Sequence, residues 1–62
     1  MGMRYETRKQ QVTEPDWLGG QTYTRWLIWD LHLDKKAPFG IHRDAEAAER
    51  DATRRNERYA QS

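Results

Sequence analysis

The sequence predicts an α+β fold, a two- or three-stranded antiparallel sheet with one C-terminal helix packed on one face. Two patterns within the 62 residues support this. Polar and apolar side chains alternate in the first half of the chain, with the period of two that is typical of strands. Alanines recur three and four residues apart in the last third, which is typical of a helix. We expect residues 1–62 to form one small β-β-(β)-α domain, with Met1-Gly2 as an extension before a natural start at Met3.

Two strands and a loop account for the first half of the chain. The polar alternation of residues 3–12 predicts a first strand, and the turn formers between residues 13 and 22 predict a long loop. Residues 23–33 have the strongest strand pattern, with apolar side chains on both faces. The odd-numbered positions hold more of them, so we expect this face to be the core face. Its members are Tyr23, Leu27, Trp29, Leu31 and Leu33.

A short third strand is expected after the second. Residues 34–38 form a polar connector that ends in Pro38, and residues 39–41 can then pair back on the second strand. Phe39 and Ile41 should fill the core beside the second strand.

The last element is a helix over residues 44–59. Ala45, Ala48 and Ala52 recur at helical spacing and form an apolar stripe. Asp44 is the expected N-cap. Acidic residues dominate the first half and arginines the second, which matches the helix dipole. The alanine stripe should lie across the odd face of the second strand.

The composition limits what this chain can be. Hydrophobic residues make up 35% of the chain and cysteine is absent, so neither a large core nor a disulfide can supply stability. A second copy or another protein is expected to complete the core. The net charge of +1 gives no indication of nucleic acid by itself. Because no apolar run approaches membrane-span length and no signal region is visible, we expect a cytoplasmic protein with no membrane partner.

Aromatic residues outside the expected core are the strongest functional signal. The second strand is apolar on both faces, whereas one helix can cover only one of them. Trp26 and Ile28 on the even face, with Trp17 from the loop and Arg25 nearby, are expected to form an exposed patch that binds a protein partner. The alternative is that the loop folds back over Trp26. A homodimer or a larger protein are the partners expected for such a patch.

Basic side chains form two further candidate sites. The first strand and its neighbour carry Arg4, Arg8 and Arg25, and strands can recognise DNA in the major groove. The helix carries Arg50, Arg54 and Arg58 on one ridge, where they can contact phosphates. Interleaved acids dilute both sets, and a solvated, ion-paired helix face is the alternative. A DNA-binding module is therefore the second functional hypothesis.

Nothing in the sequence indicates catalysis or a cofactor. The pairs His32/Asp34 and His42/Asp44 match no metal-ligand spacing and are expected to be surface residues near turns. No nucleophile elbow or phosphate-binding glycine loop is visible in the sequence. Such a short chain is also expected to lack the volume for a small-molecule pocket. We therefore expect no enzyme, no metal site, no cofactor and no small-molecule substrate.

One resemblance rests on the second half of the chain. The run from Trp29-Asp30 through Pro38-Phe39-Gly40-Ile41, followed by Glu46-Ala47-Ala48, Ala52 and Asn56, resembles small β-β-α proteins of phages and other mobile elements. Anti-CRISPR-like inhibitors are one such group, and they act without catalysis by covering a partner's surface. The N-terminal arm-binding domains of tyrosine integrases are another, and their three-stranded sheet recognises DNA. The resemblance implies a non-enzymatic inhibitor of a host system in the first case and a DNA-binding module in the second.

Overall fold

Three antiparallel strands and one helix make up the computed structural model, which describes residues 3–61. The bounds are β1 Tyr5–Thr13, β2 Thr22–Asp30, β3 Lys35–His42 and α1 Ala45–Gln61. β2 is the central strand. One turn of 3-10 helix, Asp16–Leu18, lies in the loop between β1 and β2. The predicted fold class is confirmed, whereas the suggested extension at Met1-Gly2 lies outside the described residues.

The second strand ends earlier than the sequence predicts. Asp30 Oδ1 accepts the backbone N–H groups of His32 and Leu33 at 3.0 and 3.2 Å, which closes a turn directly after β2. Leu31 and Leu33 therefore leave the sheet and are exposed. β3 begins within the predicted connector, at Lys35, and is correspondingly longer than expected.

The helix covers the even-numbered face of β2, so the predicted core face is wrong. Ile28 has no exposed surface and packs with Ala37, Ala48 and Ala52. Trp26 is partly buried against the same cluster. The expectation that Trp26 and Ile28 form an exposed patch is therefore also wrong.

Two features select the even face. The turn at Asp30 removes Leu31 and Leu33 from the strand, which reduces the apolar excess of the odd face to three residues against two. The even face also meets the small residues of β3, since a Cβ atom on Gly40 would lie only 2.8 Å from the Cβ atom of Ile28. The space beside Ile28 thus accommodates glycine and no larger residue.

β3 is irregular where it passes Phe39. The register between β2 and β3 shifts between Leu27 and Trp29, which indicates a bulge. Phe39 adopts a positive φ of 59°, a conformation that is unfavourable for a bulky side chain. Its side chain is 98% exposed, and Ile41 is also exposed. The expectation that Phe39 and Ile41 fill the core is therefore wrong.

The helix begins at the predicted cap, and its alanine stripe faces the sheet, although on the even face of β2 and not on the predicted odd face. Asp44 Oδ2 accepts the N–H group of Ala47 at 3.2 Å, which confirms the predicted N-cap. Ala48 and Ala52 are buried on the face that meets the sheet. Their small side chains let the helix approach Ile28 closely, so the core is thin.

A polar contact fastens the second half of α1 to the start of β1. Asn56 Oδ1 accepts the backbone N–H groups of Arg4 and Tyr5 at 2.9 and 2.8 Å. Its Nδ2 atom donates to the carbonyl oxygen of Tyr5 at 3.0 Å. One amide side chain thus satisfies three backbone groups on the edge strand and fixes where the helix crosses the sheet.

Gly40→Ala is expected to lower the free energy of unfolding by about 1–3 kcal/mol, because the new methyl group collides with Ile28 and either β3 or Ile28 must shift. Urea unfolding followed by tryptophan fluorescence measures the change. Lys36→Ala, at an exposed position of the same strand, should stay within about 0.5 kcal/mol of wild type. Equal losses for the two variants would contradict the close approach at Gly40.

Candidate functional site

The helix leaves the odd-numbered face of the sheet uncovered. We call this surface the open sheet face. Strand register assigns to it Glu6, Arg8, Gln10 and Val12 of β1, Tyr23, Arg25, Leu27 and Trp29 of β2, and Lys36 and Ile41 of β3, with Arg43 just beyond. Its charged residues are four cations and the single acid Glu6. The predicted core face is therefore a basic, aromatic surface.

Two arginines of the open sheet face stack on aromatic rings. The guanidinium carbon of Arg8 lies 4.3 Å from the centre of the Trp29 ring. That of Arg43 lies 4.5 Å from the centre of the Tyr23 ring. Cation-π contacts of this kind attract a guanidinium to the ring and restrict its position, while a guanidinium has five N–H donors to share among partners. The two stacked pairs thus present oriented donors.

Polar partners on β1 contact two of these cations weakly. Arg8 donates to Glu6 Oε1 at 2.9 and 3.2 Å, and Arg25 Nε donates to Gln10 Oε1 at 2.6 Å. Both contacts are exposed to solvent, and exposed pairs of this kind contribute on the order of 1 kcal/mol or less. A ligand can therefore compete for both arginines.

The centre of the open sheet face is apolar and holds an unpaired donor. Leu27 is only 5% exposed between its cross-strand partners Arg8 and Ile41. The indole N–H of Trp29 is buried, and no acceptor within residues 3–61 takes it. A buried donor without a partner is costly and calls for an explanation. The Arg8 guanidinium lies over the ring that carries this donor.

A second candidate site lies on the helix side of the sheet. We call it the arginine groove, a cavity of about 420 Å³ that is wide open to solvent. Its lining consists of Arg4, Tyr5, Asp51, Arg54, Arg55, Arg58 and Tyr59. The chain length predicted no cavity of this size. A short chain can form one here because the groove lies on the surface, between α1 and the start of β1, and needs no enclosing core.

A buried carboxylate fixes one side of the arginine groove. Asp30, which is 3% exposed, accepts hydrogen bonds from Arg4 Nε at 3.1 Å and Arg4 Nη2 at 3.0 Å. This bidentate pair lowers the pKa of Asp30 below its ordinary value, and it outweighs the opposing effect of burial. The backbone N–H groups of Leu33 and His32 act in the same direction. Asp30 is therefore ionised at neutral pH and holds the Arg4 guanidinium in place.

The predicted sheet arginines do not form one set. Arg8 and Arg25 both lie on the open sheet face. Arg4 precedes β1, and its side chain turns to the helix side, where its guanidinium carbon lies 5.4 Å from the centre of the Tyr59 ring. The pairing with Asp30 is the reason for this turn, and strand alternation alone contains no sign of it.

The predicted helix arginines are also divided. Arg54 and Arg58 line the arginine groove. Arg50 lies outside it, with Nη1 at 3.9 Å from Glu46 Oε2 in an exposed ion pair. All three arginines are exposed, as the alternative of a solvated helix face expects, but among the described residues only Arg50 of the three forms an ion pair.

The predicted protein-binding patch is dispersed. Trp17 is 80% exposed at the tip of the β1–β2 hairpin, next to Leu18 at 53%. Trp26 and Ile28 lie beneath α1, which covers them in place of the loop. Arg25 lies on the opposite face of the sheet from Trp26, because consecutive strand residues alternate. Only Trp17 keeps the exposure that the sequence suggested.

The two histidines stay apart. His42 Nε2 lies 2.7 Å from Asp51 Oδ2, and Asp51 also accepts from Arg55 Nε at 2.8 Å. His32 packs edge-on against Tyr59, with ring centres 5.0 Å apart. Residues 3–61 contain no group of three or more His, Cys, Asp or Glu side chains that could hold a metal ion. The two His-x-Asp pairs therefore do not converge.

The sequence reasoning missed several residues of both sites. Trp29 and Tyr23 were assigned to the core, so their arginine partners Arg8 and Arg43 were not connected with them. Strand register is the signal that connects Arg8 with Trp29. It pairs Arg8 of β1 with Leu27 of β2, and Leu27 lies two residues from Trp29 on the same face. Arg55 was not included in the predicted ridge of Arg50, Arg54 and Arg58, although it directly follows Arg54 in the sequence.

No protein-family model, curated protein or solved structure significantly matches this chain. Within the described part of the chain, no helix has the length and apolar character needed to cross a membrane.

Asp30→Asn is expected to lower the free energy of unfolding at pH 7, and this loss should shrink as the pH falls below about 4. The folded-state pKa of Asp30 is lowered, so its stabilisation is present above the unfolded-state pKa and disappears as the pH falls through the folded-state value. Urea unfolding between about pH 7 and pH 2 measures the difference. Asp34→Asn, exposed in the neighbouring turn, is the control. A difference between wild type and Asp30→Asn that stays constant with pH would contradict the ion pair's role.

Proposed function

We propose that this chain is a non-catalytic binding module whose open sheet face binds duplex nucleic acid. One observation carries the proposal, the placement of Arg8, Arg25, Lys36 and Arg43 on a single face that holds only one acid. Phosphate contacts dominate the affinity of proteins for nucleic acid. The overall net charge of +1 conceals this asymmetry, because the acids lie mostly on other surfaces.

The dimensions of the sheet support a groove contact. Strands lie about 4.8 Å apart, so the outer strands of this sheet are separated by about 10 Å. The major groove of a duplex is about 12 Å wide and is contacted by strands in several known binding modes. Arg25 and Gln10, hydrogen-bonded across β1 and β2, are also residue types that pair with the edges of guanine and adenine. The face thus offers both phosphate and base contacts.

The stacked pairs support binding through preorganisation. Arg8 on Trp29 and Arg43 on Tyr23 already hold their guanidinium groups in defined orientations. Ordering a free arginine on binding costs roughly 0.5–1.5 kcal/mol, and part of that cost is removed when the side chain is already fixed. Oriented guanidinium groups also match phosphate geometry better than a flexible ammonium does.

The open sheet face is poorly suited to pairing with its own copy. A symmetric contact presses the same patch of two copies together, which here brings cations against cations. Like charges across an interface oppose association. A homodimer of this chain would therefore need a different pair of surfaces.

Duplex binding is expected to weaken steeply with salt, with a log-log slope of about −3 to −4 for roughly four phosphate contacts. The double change Arg25→Gln and Arg43→Gln should weaken binding and reduce the slope by about two, because each arginine accounts for about one contact. Fluorescence anisotropy with a labelled duplex of about 20 base pairs measures both quantities, since such a duplex exceeds the contact area of one small module.

The matched control is the double change Arg54→Gln and Arg58→Gln, which removes two positive charges from the helix side of the sheet. It should leave most of the duplex binding intact. Absence of binding at about 50 mM salt would refute the proposal, because electrostatic contacts are strong there. Greater loss in the helix variant than in the sheet variant would refute the assignment to the open sheet face.

Protein binding through the hairpin tip is the second candidate function. Trp17 and Leu18 are exposed there, and tryptophan is a frequent anchor of protein interfaces. Glu14 and Asp16 flank them, so the tip favours a basic partner surface and disfavours phosphate. The open sheet face of a second copy carries the complementary charge. Inhibition of a host protein, the role implied by the resemblance to phage accessory proteins, would use the same tip.

Trp17→Ser is expected to abolish self-association if the tip of one copy contacts the basic face of another. Sedimentation equilibrium of wild type and variant over a range of concentrations measures this. Leu33→Ser, which removes an exposed apolar side chain from the opposite end of the sheet, is the control and should not change association. A wild-type chain that remains monomeric at about 1 mM would exclude this contact. Its dissociation constant would then be well above 1 mM, which is too weak for a stable complex.

A further inference from the structure

We propose that the arginine groove binds the phosphate group of a small phosphorylated ligand. The groove lies on the helix side of the sheet and shares no residue with the open sheet face. Four guanidinium groups, those of Arg4, Arg54, Arg55 and Arg58, line it together with one carboxylate. Its lining is therefore strongly cationic, which favours an anion, and arginine forks match phosphate oxygens in geometry.

Two of the four guanidinium groups are held in place before any ligand arrives. Arg4 is fixed by its bidentate pair with Asp30. Arg55 donates from Nε to Asp51 and from Nη2 to the carbonyl oxygen of Pro38, both at 2.8 Å. Within residues 3–61, the hydrogen bonds of both arginines use Nε and Nη2, so the N–H groups on Nη1 remain for a ligand. Preorganised donors bind with a smaller loss of entropy.

The fixed arginines converge on one aromatic ring. The guanidinium carbons of Arg4 and Arg55 lie 5.3 and 5.8 Å from the centre of the Tyr5 ring. Arg4 also lies 5.4 Å from the centre of the Tyr59 ring. Both cations thus lie beside the Tyr5 ring, which is part of the groove lining.

The other two arginines are available to close on a ligand. Arg54 and Arg58 are exposed, lie one helical turn apart and form no ion pair with the described residues. Asp51 is the one acid in the lining, and its charge is already engaged. Burial opposes ionisation of Asp51, but hydrogen bonds from Arg55 and His42 outweigh it and lower its pKa. The net charge facing a ligand therefore stays positive.

The size of the groove indicates a ligand larger than inorganic phosphate. A cavity of about 420 Å³ lies within the range of small-molecule sites, which is roughly 300–1,000 Å³. The rings of Tyr5 and Tyr59 offer flat surfaces beside the guanidinium groups. A phosphate ester with a planar ring, such as a nucleotide, would use both features. The phosphodiester backbone of a nucleic acid is the other source of the same chemistry.

Titration calorimetry at about 20 mM salt, where screening is weak, tests the proposal with three probes. Pyrophosphate tests the phosphate contacts alone, adenosine diphosphate adds a ring, and adenosine lacks phosphate. We expect pyrophosphate and adenosine diphosphate to bind and adenosine not to bind. The double change Arg54→Gln and Arg58→Gln should weaken pyrophosphate binding by about tenfold or more, because two charge-assisted contacts are lost.

Arg50→Gln is the matched control, since Arg50 lies on the same helix outside the groove, and it should change pyrophosphate binding by less than about twofold. Circular dichroism checks that each variant keeps its helix. Tighter binding of adenosine diphosphate than of pyrophosphate supports a nucleotide, and equal binding supports recognition of the phosphate alone. The proposal would be overturned if Arg50→Gln weakened pyrophosphate binding as much as the Arg54→Gln and Arg58→Gln double change.

The outcome is independent of duplex binding at the open sheet face. Arg25→Gln with Arg43→Gln should leave pyrophosphate affinity unchanged, even if it weakens duplex binding. The proposal would be overturned if pyrophosphate did not bind at about 10 mM. That concentration is about ten times a dissociation constant of 1 mM, which is already weak for a specific ligand. If duplex binding were then lost in the Arg54 and Arg58 double variant, those arginines would belong to a contact with the nucleic-acid backbone.

Discussion

Asp30 accepts two hydrogen bonds from Arg4 and two from the backbone of the turn that follows β2. These four contacts decide where the central strand ends, and so which apolar residues stay in the sheet. They also bring Arg4, which precedes β1, against the end of β2. Asn56 of the helix accepts hydrogen bonds from the backbone of the same segment, at Arg4 and Tyr5. The length of β2 and the position of the Arg4 guanidinium in the arginine groove thus depend on a single buried carboxylate.

The thin core is supplemented by polar contacts and by cation-π stacking. Beneath the helix, the buried cluster consists of Ile28 and three alanines, with Tyr5 and Trp26 partly buried against it. Beside them, the pair His42 and Asp51 ties the helix to β3. On the other side of the sheet, the Arg8 guanidinium lies over the Trp29 ring and shields it from water, while the Arg8 side chain stays 45% exposed. Arginine therefore replaces a second helix as the cover for that face.

Periodicity alone was sufficient to predict the α+β class, the helix and its Ala48/Ala52 stripe, because these depend on local spacing. The core face was not predictable in the same way, since it depends on the side chain of Asp30 ending the strand before Leu31. The site residues also divide into those that local spacing predicts and those that depend on long-range contacts. That Arg8 and Arg25 share a face follows from strand alternation and register, whereas the turn of Arg4 toward the helix depends on a long-range ion pair that no local pattern contains.

Phe39 has a consequence for how this protein avoids aggregation. β3 is an edge strand, and an edge with regular free N–H and C=O groups invites strands of other molecules to pair with it. Three features of the eight-residue strand β3 interrupt this row of N–H and C=O groups. They are the positive φ of Phe39, the missing N–H of Pro38 and the charges of Lys35 and Lys36. A polymer of stacked sheets cannot grow from this edge without first straightening the bulge. The irregular strand therefore opposes edge-to-edge assembly through β3, one of the two edge strands of the sheet.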